Sequence, residues 1–184
     1  PDSFYAGSRV NKDGLLKKVE EMINYGVDII DIGGESTRPG SDPVPLEEEL
    51  RRVIPAIEEI RKHFNDVVLS VDTYKSRVAQ EALEAGADMI NDISACTFDE
   101  NMIEVLRKYK VPVIIMHIKG TPKNMQDNPE YKDVVREITS FLRERIEVLE
   151  RNGIESDKII IDPGIGFGKK IEHNIAIIRR LAEL

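Results

Sequence analysis

One unit recurs along this chain: a short apolar run ends at a polar residue, a loop follows, and an amphipathic helix comes next. The clearest copy is residues 159–169, Ile-Ile-Ile-Asp-Pro-Gly-Ile-Gly-Phe-Gly-Lys. A β-branched run without polar alternation is typical of a parallel strand that is buried on both faces. Because strand and helix alternate without exception, the sequence predicts parallel strands joined by right-handed crossovers.

The hydrophobic periodicity predicts where these elements lie. The strands are predicted at residues 27–32, 67–71, 87–90, 112–116 and 159–162, and the helices at residues 12–25, 46–64, 75–85, 100–109, 131–152 and 173–184. Gly26 stands where a helix C-terminal cap is expected, and Pro55 is predicted to kink the second helix.

Two architectures fit this alternation, an open doubly wound sheet and a (β/α)8 TIM barrel. Eight units of about 35 residues would give the roughly 250 residues of a barrel. Polar residues end five different strands, and a barrel gathers the ends of all its strands at one face, whereas an open sheet binds its ligand at one switch point. We therefore expect a single domain over residues 1–184 that is an incomplete α/β barrel, with the first strand and the last two βα units missing. Because the chain begins at Pro1 within an apparent loop, we expect a piece of a longer polypeptide.

Composition narrows the classes of function. The 184 residues carry a net charge of -8 and are 41% hydrophobic, and the sequence has no apolar run long enough to span a bilayer. The acidic balance argues against nucleic-acid and anionic-membrane partners, since either needs a concentrated basic surface. The single Cys96 cannot form an internal disulfide, which favours a reducing cytoplasm.

Asp72, Asn91 and Asp162 each follow an apolar run, so a barrel would bring them to one cavity. A carboxylate can accept two parallel N–H bonds from an amino-pyrimidinone, and an amide offers both an acceptor and a donor. The set therefore predicts a pocket for a pterin or a guanine. The alternatives are that Asp72 is a helix N-cap and that Asn91-Asp92 forms a turn or cap.

Several other stretches of the sequence carry residues that could bind a ligand. The glycine-rich stretch at 164–169 fits neither the dinucleotide fingerprint nor the P-loop spacing, and Phe167 within it is predicted to be a lid or stacking residue. Arg38 on the loop at 35–40 can take an anionic group, the alternative being a solvated loop arginine. His117 is interpreted as a structural histidine, and Glu47 to Glu49 as a solvated helix face.

Six motifs, in the same order across the whole chain, resemble the dihydropteroate synthase family of pterin-binding barrels. They are Pro-Asp-Ser-Phe at residues 1–4, Asp-Ile-Gly-Gly-Glu-Ser-Thr-Arg-Pro-Gly at 31–40, Ser-Val-Asp-Thr at 70–73, Ile-Asn-Asp-Ile at 90–93, Met-His at 116–117 and Asp-Pro-Gly-Ile-Gly-Phe-Gly-Lys at 162–169. The resemblance implies a cytoplasmic transferase, targeted by sulfonamides, that joins 6-hydroxymethyl-7,8-dihydropterin diphosphate to p-aminobenzoate and releases diphosphate in folate biosynthesis.

The resemblance also implies roles for individual residues. Asp72, Asn91 and Asp162 would hold the pterin, and Asp72, Asp162 and Arg38 would act in catalysis. The other pterin-pocket positions are Ile93, Met116 and Gly166, and the p-aminobenzoate mouth and its loops comprise Phe4, Thr37, Arg38, Pro39 and Phe167.

Part of the family's pattern lies outside these residues. The asparagine that is a magnesium ligand in the family would precede residue 1, and the later Ser-Arg-Lys and Arg-x-His motifs would follow Leu184. We therefore expect no metal ligand here, no activity from these residues alone, and Mg²⁺ binding and a homodimer in the complete protein. The alternatives are a methyltetrahydrofolate-binding methyltransferase domain and a non-catalytic pterin-binding relative.

Overall fold

The computed structural model describes residues 12–184, in which strands and helices alternate. The strands are β1 Ile29–Gly33, β2 Val68–Asp72, β3 Met89–Asp92, β4 Val113–Met116 and β5 Ile159–Asp162. The α-helices are α1 Lys12–Asn24, α2 Leu46–His63, α3 Ser76–Ala85, α4 Met102–Tyr109, α5 Val134–Arg151 and α6 Ile171–Arg179. Short 3-10 helices cover Ser156–Lys158 and Leu181–Glu183.

The five strands form one parallel sheet whose spatial order is the order of the chain, β1-β2-β3-β4-β5. A doubly wound sheet reverses its strand order at a switch point, and this sheet has no such reversal. Neighbouring strands that follow one another in sequence are the arrangement found in a barrel wall. The open-sheet alternative is therefore wrong, and the prediction of a partial barrel is confirmed.

One face of the sheet belongs to the hydrophobic core. Leu69, Val71, Ile90, Val113 and Ile115 are fully buried, in one cluster with apolar residues of the surrounding helices. The helices meet this cluster with residues spaced one turn apart, as an amphipathic stripe requires: Val53, Ile57 and Ile60 on α2, and Val78, Ala79 and Ala82 on α3. This packing holds the strands, and therefore the side chains at their ends, in position.

The opposite face of the sheet is partly open. Ile29, Val68 and Ile160 are 45%, 37% and 45% exposed. Ile29 and Val68 are partners in the β1–β2 register, and Ile160 pairs with Ile114 of β4. In a closed barrel this face would point inward.

Element boundaries differ from the predicted ones mainly at helix ends. The helix α5 begins at Val134 because the Asp133 carboxylate caps it, accepting from the backbone N–H groups of Val135 and Arg136 at 3.1 and 3.2 Å. The helix α6 begins at Ile171 and ends at Arg179, short of the predicted Leu184. The helix α2 continues through Pro55 to His63. No helix within residues 12–184 is long and apolar enough to cross a membrane.

Candidate functional site

The three side chains predicted to share a pocket lie at the same end of the sheet. Asp72 ends β2 and is in register with Asn91, the penultimate residue of β3. Asp162 ends β5 and is in register with Met116 at the end of β4. Asp162 lies two residues beyond Ile160, which aligns with Asn91 through Ile114, so alternation puts it on the face of Asn91. One strand separates Asn91 from Asp162, which corresponds to roughly 10 Å across the sheet.

The Asp72 carboxyl lies in an environment that disfavours its ionised form. Burial raises its pKa well above the ordinary carboxyl value, and the negative charges of Asp31, Glu49, Asp92 and Glu35 add to this effect. Asp72 does not cap α3, because the N–H of Ser76 at the start of that helix donates to Asp99 Oδ2 at 2.8 Å. The capping alternative for Asp72 is therefore wrong.

The adjacent residues Asn91 and Asp92 of β3 place their side chains on opposite faces of the sheet. Asp92 is fully buried and accepts from the N–H and hydroxyl of Ser94, both at 2.7 Å, and from the N–H of Cys96 at 3.0 Å. Burial raises the pKa of Asp92. Asp92 thus forms the turn that was one alternative for the pair. Asn91 turns to the other side, where its Nδ2 donates to Asp31 Oδ2 at 3.1 Å.

The prediction of site residues missed Asp31. The first strand was predicted to end near Asp31, but Asp31 was not included among the pocket residues, and β1 continues to Gly33. The strand register shows that Asp31 belongs to the site. Asp31 lies two residues before Gly33, and Gly33 is in register with Asp72. Alternation then places the Asp31 carboxylate on the face of Asp72 and Asn91.

The loop after Asp162 is held in place by hydrogen bonds along its length. The Asp162 Oδ1 atom accepts from the N–H of Gly164 at 2.7 Å. Further along, Gly166 O accepts from Gln126 Nε2 at 2.6 Å and Gly168 O from the Tyr131 hydroxyl at 2.7 Å. Gly164 has a φ of +67°, and a Cβ there would lie 2.1 Å from the carbonyl oxygen of His117. Only glycine fits this position.

Lys169 and His117 form a buried pair beneath this loop. Lys169 is 3% exposed, and its Nζ lies 2.8 Å from the carbonyl oxygen of Phe167 and 3.1 Å from both His117 O and His117 Nδ1. Burial lowers the pKa of Lys169 to about 7, opposed by the charge of Asp162. Burial lowers the pKa of His117 to about 3, and the positive charge of Lys169 adds to this effect. His117 is therefore neutral and accepts at Nδ1, as a structural histidine does.

The loop between β1 and α2 carries Thr37, Arg38 and Pro39 at this end of the sheet. The hydroxyl of Ser41 donates to Ser36 O at 2.6 Å and to Arg38 O at 2.8 Å, which closes a turn around Arg38. The N–H of Gly40 donates to Pro122 O at 2.9 Å, joining this loop to the loop after β4. Arg38 itself is partly buried.

A buried ionic cluster fastens the base of that loop. Lys75 Nζ pairs with Glu35 at 2.6 Å and with Glu49, and it donates a third hydrogen bond to Val44 O at 2.9 Å. Glu49 also accepts from Thr73 Oγ1 at 2.7 Å and is 1% exposed. The prediction that Glu49 belongs to a solvated face is therefore wrong. Its carboxylate is buried because Lys75 and Thr73, distant in sequence, supply a charge and a donor.

The remaining predicted positions lie as follows. Ile93 and Met116 are 3% and 4% exposed at this end of the sheet, and a Cβ added to Gly166 would meet no atom within 4 Å. Phe167 is partly buried, and its N–H donates to Gly164 O at 3.1 Å. Phe4 lies outside the described residues. Within residues 12–184, no group of three or more His, Cys, Asp or Glu side chains is placed to hold a metal ion.

The fold belongs to the class of α/β barrels, which carry their polar sites at the carboxyl ends of the strands, and the acidic and amide side chains of this chain lie at that end. All 184 residues match the family of pterin binding enzymes, and the chain belongs to that family. Among curated relatives, the dihydropteroate synthase of Escherichia coli is 45% identical over 184 residues, which cover 100% of this chain and 64% of the relative. The folic acid synthesis protein fol1 of Pneumocystis carinii is 45% identical, with 25% of its length covered.

Solved structures agree with this assignment. A Yersinia pestis dihydropteroate synthase in complex with a sulfonamide drug superposes with a TM-score of 0.93 at 43% identity, covering 100% of this chain and 66% of that chain. A Burkholderia cenocepacia dihydropteroate synthase complexed with 7,8-dihydropteroate gives a TM-score of 0.86 at 44% identity, covering 95% and 62%. The chain thus spans about two thirds of the bacterial enzymes that it matches, or less.

Proposed function

We propose that the complete polypeptide containing these residues is a dihydropteroate synthase, which condenses 6-hydroxymethyl-7,8-dihydropterin diphosphate with p-aminobenzoate to give 7,8-dihydropteroate and diphosphate. The observation that carries the proposal is the meeting of Asp72, Asn91 and Asp162 at one end of a sequentially ordered parallel sheet. The synthases of known structure that share this sheet support the substrate class.

The electrostatics of the site suit a ring that becomes cationic. When diphosphate leaves the pterin methylene, positive charge spreads into the ring. The carboxyl groups of Asp72 and Asp162 stabilise that cation more than the neutral ground state, so they lower the barrier. Burial, together with the negative charges around it, raises the pKa of Asp72, and a ring that donates N–H groups or carries positive charge favours its ionised form. The arylamine then attacks a strong electrophile and needs no powerful general base.

The second substrate is assigned to the loops above the sheet. The β1–α2 loop carries Thr37, Arg38 and Pro39 and the glycine-rich loop carries Phe167, and these residues are assigned to the proposed p-aminobenzoate mouth. The assignment of Phe4 to the same mouth rests on the family resemblance alone. The hydrogen bonds that hold both loops support a mouth of defined shape. Arg38 supplies the positive charge of this mouth.

The proposal extends to the setting of the enzyme. The described residues form no metal cluster, so the predicted Mg²⁺ would depend on chain outside residues 12–184, and no step is assigned to it. We further propose that residues 1–184 are one partial domain of a cytoplasmic enzyme that dimerises when complete.

The test is the reaction itself, carried out with the complete polypeptide. We expect diphosphate release from the pterin substrate that depends on p-aminobenzoate. Methyl transfer from methyltetrahydrofolate would instead identify the methyltransferase alternative, and pterin binding without either reaction would identify a non-catalytic relative. Either result would refute the proposed activity.

Asp162→Asn is expected to weaken pterin binding by about tenfold or more, because a buried donor loses its charge-assisted acceptor. Isothermal titration of the complete polypeptide with 6-hydroxymethylpterin measures this change. Asp157→Asn, at an exposed position before the same strand, is the matched control. Equal affinities for Asp162→Asn and the control would remove Asp162 from the pocket.

Arg38→Ala is expected to leave pterin affinity unchanged and to lower turnover, because its guanidinium belongs to the proposed p-aminobenzoate mouth and not to the residues that bind the pterin. Titration with 6-hydroxymethylpterin and steady-state kinetics with both substrates separate these effects. Loss of pterin binding in this variant would show that the role assigned to the loop is wrong.

A further inference from the structure

The Asp31 carboxylate is the one partner that the structure gives to the Asn91 side chain among the described residues. The contact joins Asn91 Nδ2 to Asp31 Oδ2 at 3.1 Å. These residues belong to β3 and β1, and β2 lies between them, carrying Asp72 at the level of Asn91. Both side chains therefore reach across the Asp72 position on one face of the sheet.

An ionised carboxylate can only accept hydrogen bonds, whereas the Asn91 amide has an oxygen that accepts and a nitrogen with two donors. Beside Asp31, the amide must turn its nitrogen toward the carboxylate, because the flipped form would set two oxygens against each other. This orientation leaves the Asn91 oxygen and its second N–H directed away from Asp31. A ligand then meets an acceptor and a donor in a fixed order.

No core packing requires a carboxylate at position 31. Asp31 is exposed, and the β1 side chains that enter the hydrophobic cluster are its neighbours Ile30 and Ile32. Its negative charge also acts against folding here, since it adds to the repulsion that Asp72 already experiences from Glu35, Glu49 and Asp92. A charged residue held where it repels its neighbours is typical of a site selected for binding.

We propose that Asp31 is a positioning residue of the pterin site, which fixes the orientation of the Asn91 amide so that it presents one acceptor and one donor to the ring in a defined order. This inference rests on the proposed function, because it deepens the assignment of the same pocket. Asp31 acts through Asn91 and does not itself contact the ring.

The experiment is a double-mutant cycle in the complete polypeptide, read by titration with 6-hydroxymethylpterin. Asp31→Ala is expected to weaken binding about tenfold, the range for one hydrogen bond to a charged group. In an Asn91→Ala background the same change is expected to have less than a twofold effect, because no amide remains to be oriented. Asp31→Asn is expected to recover most of the affinity, since its amide oxygen still accepts from Asn91.

Two further measurements keep a structural effect apart from a positioning effect. The KM for p-aminobenzoate is expected to stay within twofold in Asp31→Ala, and circular dichroism is expected to show an unchanged fold. Asp28→Ala, an exposed carboxylate just before the same strand, is the matched control and should bind as the unaltered protein does. An Asp31→Ala effect of equal size with and without Asn91 overturns the inference and leaves the proposed function intact. Absence of pterin binding by the unaltered polypeptide overturns both.

Discussion

At the scale of single residues, Lys169 places an amine where water barely reaches it. Three acceptors surround its Nζ, all from the loops that follow β4 and β5. A buried ammonium is costly unless such partners replace its hydration. The amine therefore links the loop after Asp162 to His117, which directly follows β4.

The low pKa of Lys169 predicts how stability changes with pH. An unfolded lysine titrates near 10.5 and the folded one near 7, so between these values the unfolded chain holds a proton that the folded chain has released. The contribution of Lys169 to the free energy of unfolding should therefore rise as the pH increases from about 7 to 10.5. Urea denaturation of the complete polypeptide at several pH values measures it.

Lys169→Met should lack that rise, while Lys132→Met, at an exposed position, should retain it. Both variants contain the same tyrosines, so the effect of tyrosine titration on stability at alkaline pH cancels when the two are compared. An unchanged pH dependence in Lys169→Met would show that the amine is solvated in solution.

At the scale of elements, the ionic cluster of Glu35, Glu49 and Lys75 joins the β1–α2 loop, α2 and the turn before α3. The Lys75 side chain is 18% exposed and the two carboxylates are 6% and 1% exposed. This burial makes the lysine a structural requirement, because without it two neighbouring carboxylates would lie in the interior with no positive charge beside them.

Lys75→Met should lower the free energy of unfolding by about 3 kcal/mol, the range for removing one partner of a buried ion pair. Arg77→Met, which removes the exposed pair with Glu81 on the same helix, should have a much smaller effect. Chemical denaturation of both variants in the complete polypeptide provides the measurement. Equal effects would mean that the buried cluster contributes no more than a surface pair.

Local pattern predicted most element positions because buried parallel strands are apolar runs that end at polar residues. The strand ends at Asp72, Met116 and Asp162 were predicted in this way. Properties that depend on distant partners were not: the burial of Glu49 needs Lys75, 26 residues later, and the role of Asp31 needs a strand pairing that brings in Asn91, 60 residues later. Composition and spacing carry no signal for such contacts.

At the scale of the whole molecule, the uncovered sheet face is the feature that most distinguishes this chain from a closed barrel. Its apolar side chains Ile29, Val68 and Ile160 are between 37% and 45% exposed. Exposed apolar side chains on an uncovered sheet face promote association. The relatives extend beyond the matched region, and in E. coli the match covers 64% of the enzyme.

The isolated 184-residue chain should therefore bind 8-anilinonaphthalene-1-sulfonate and self-associate. Replacing Ile29, Val68 and Ile160 together by serine should reduce both, whereas replacing exposed Ile171, Ile175 and Ile178 of α6 should leave dye binding at the sheet face. Fluorescence and light scattering measure the two effects. Dye binding that persists in full after the sheet substitutions would place the apolar surface elsewhere.

The opposite orientations of Asn91 and Asp92 limit which insertions and deletions this gene can tolerate. Deleting a single codon just before Met89 would shift β3 by one position and exchange the two side chains. The amide would then enter the core, and the turn-forming carboxylate would enter the candidate pterin site. One deletion would therefore remove the anchor of the turn and add another negative charge to the site. Insertions and deletions should therefore be tolerated in the stretch before Met89 only when they leave this phase unchanged.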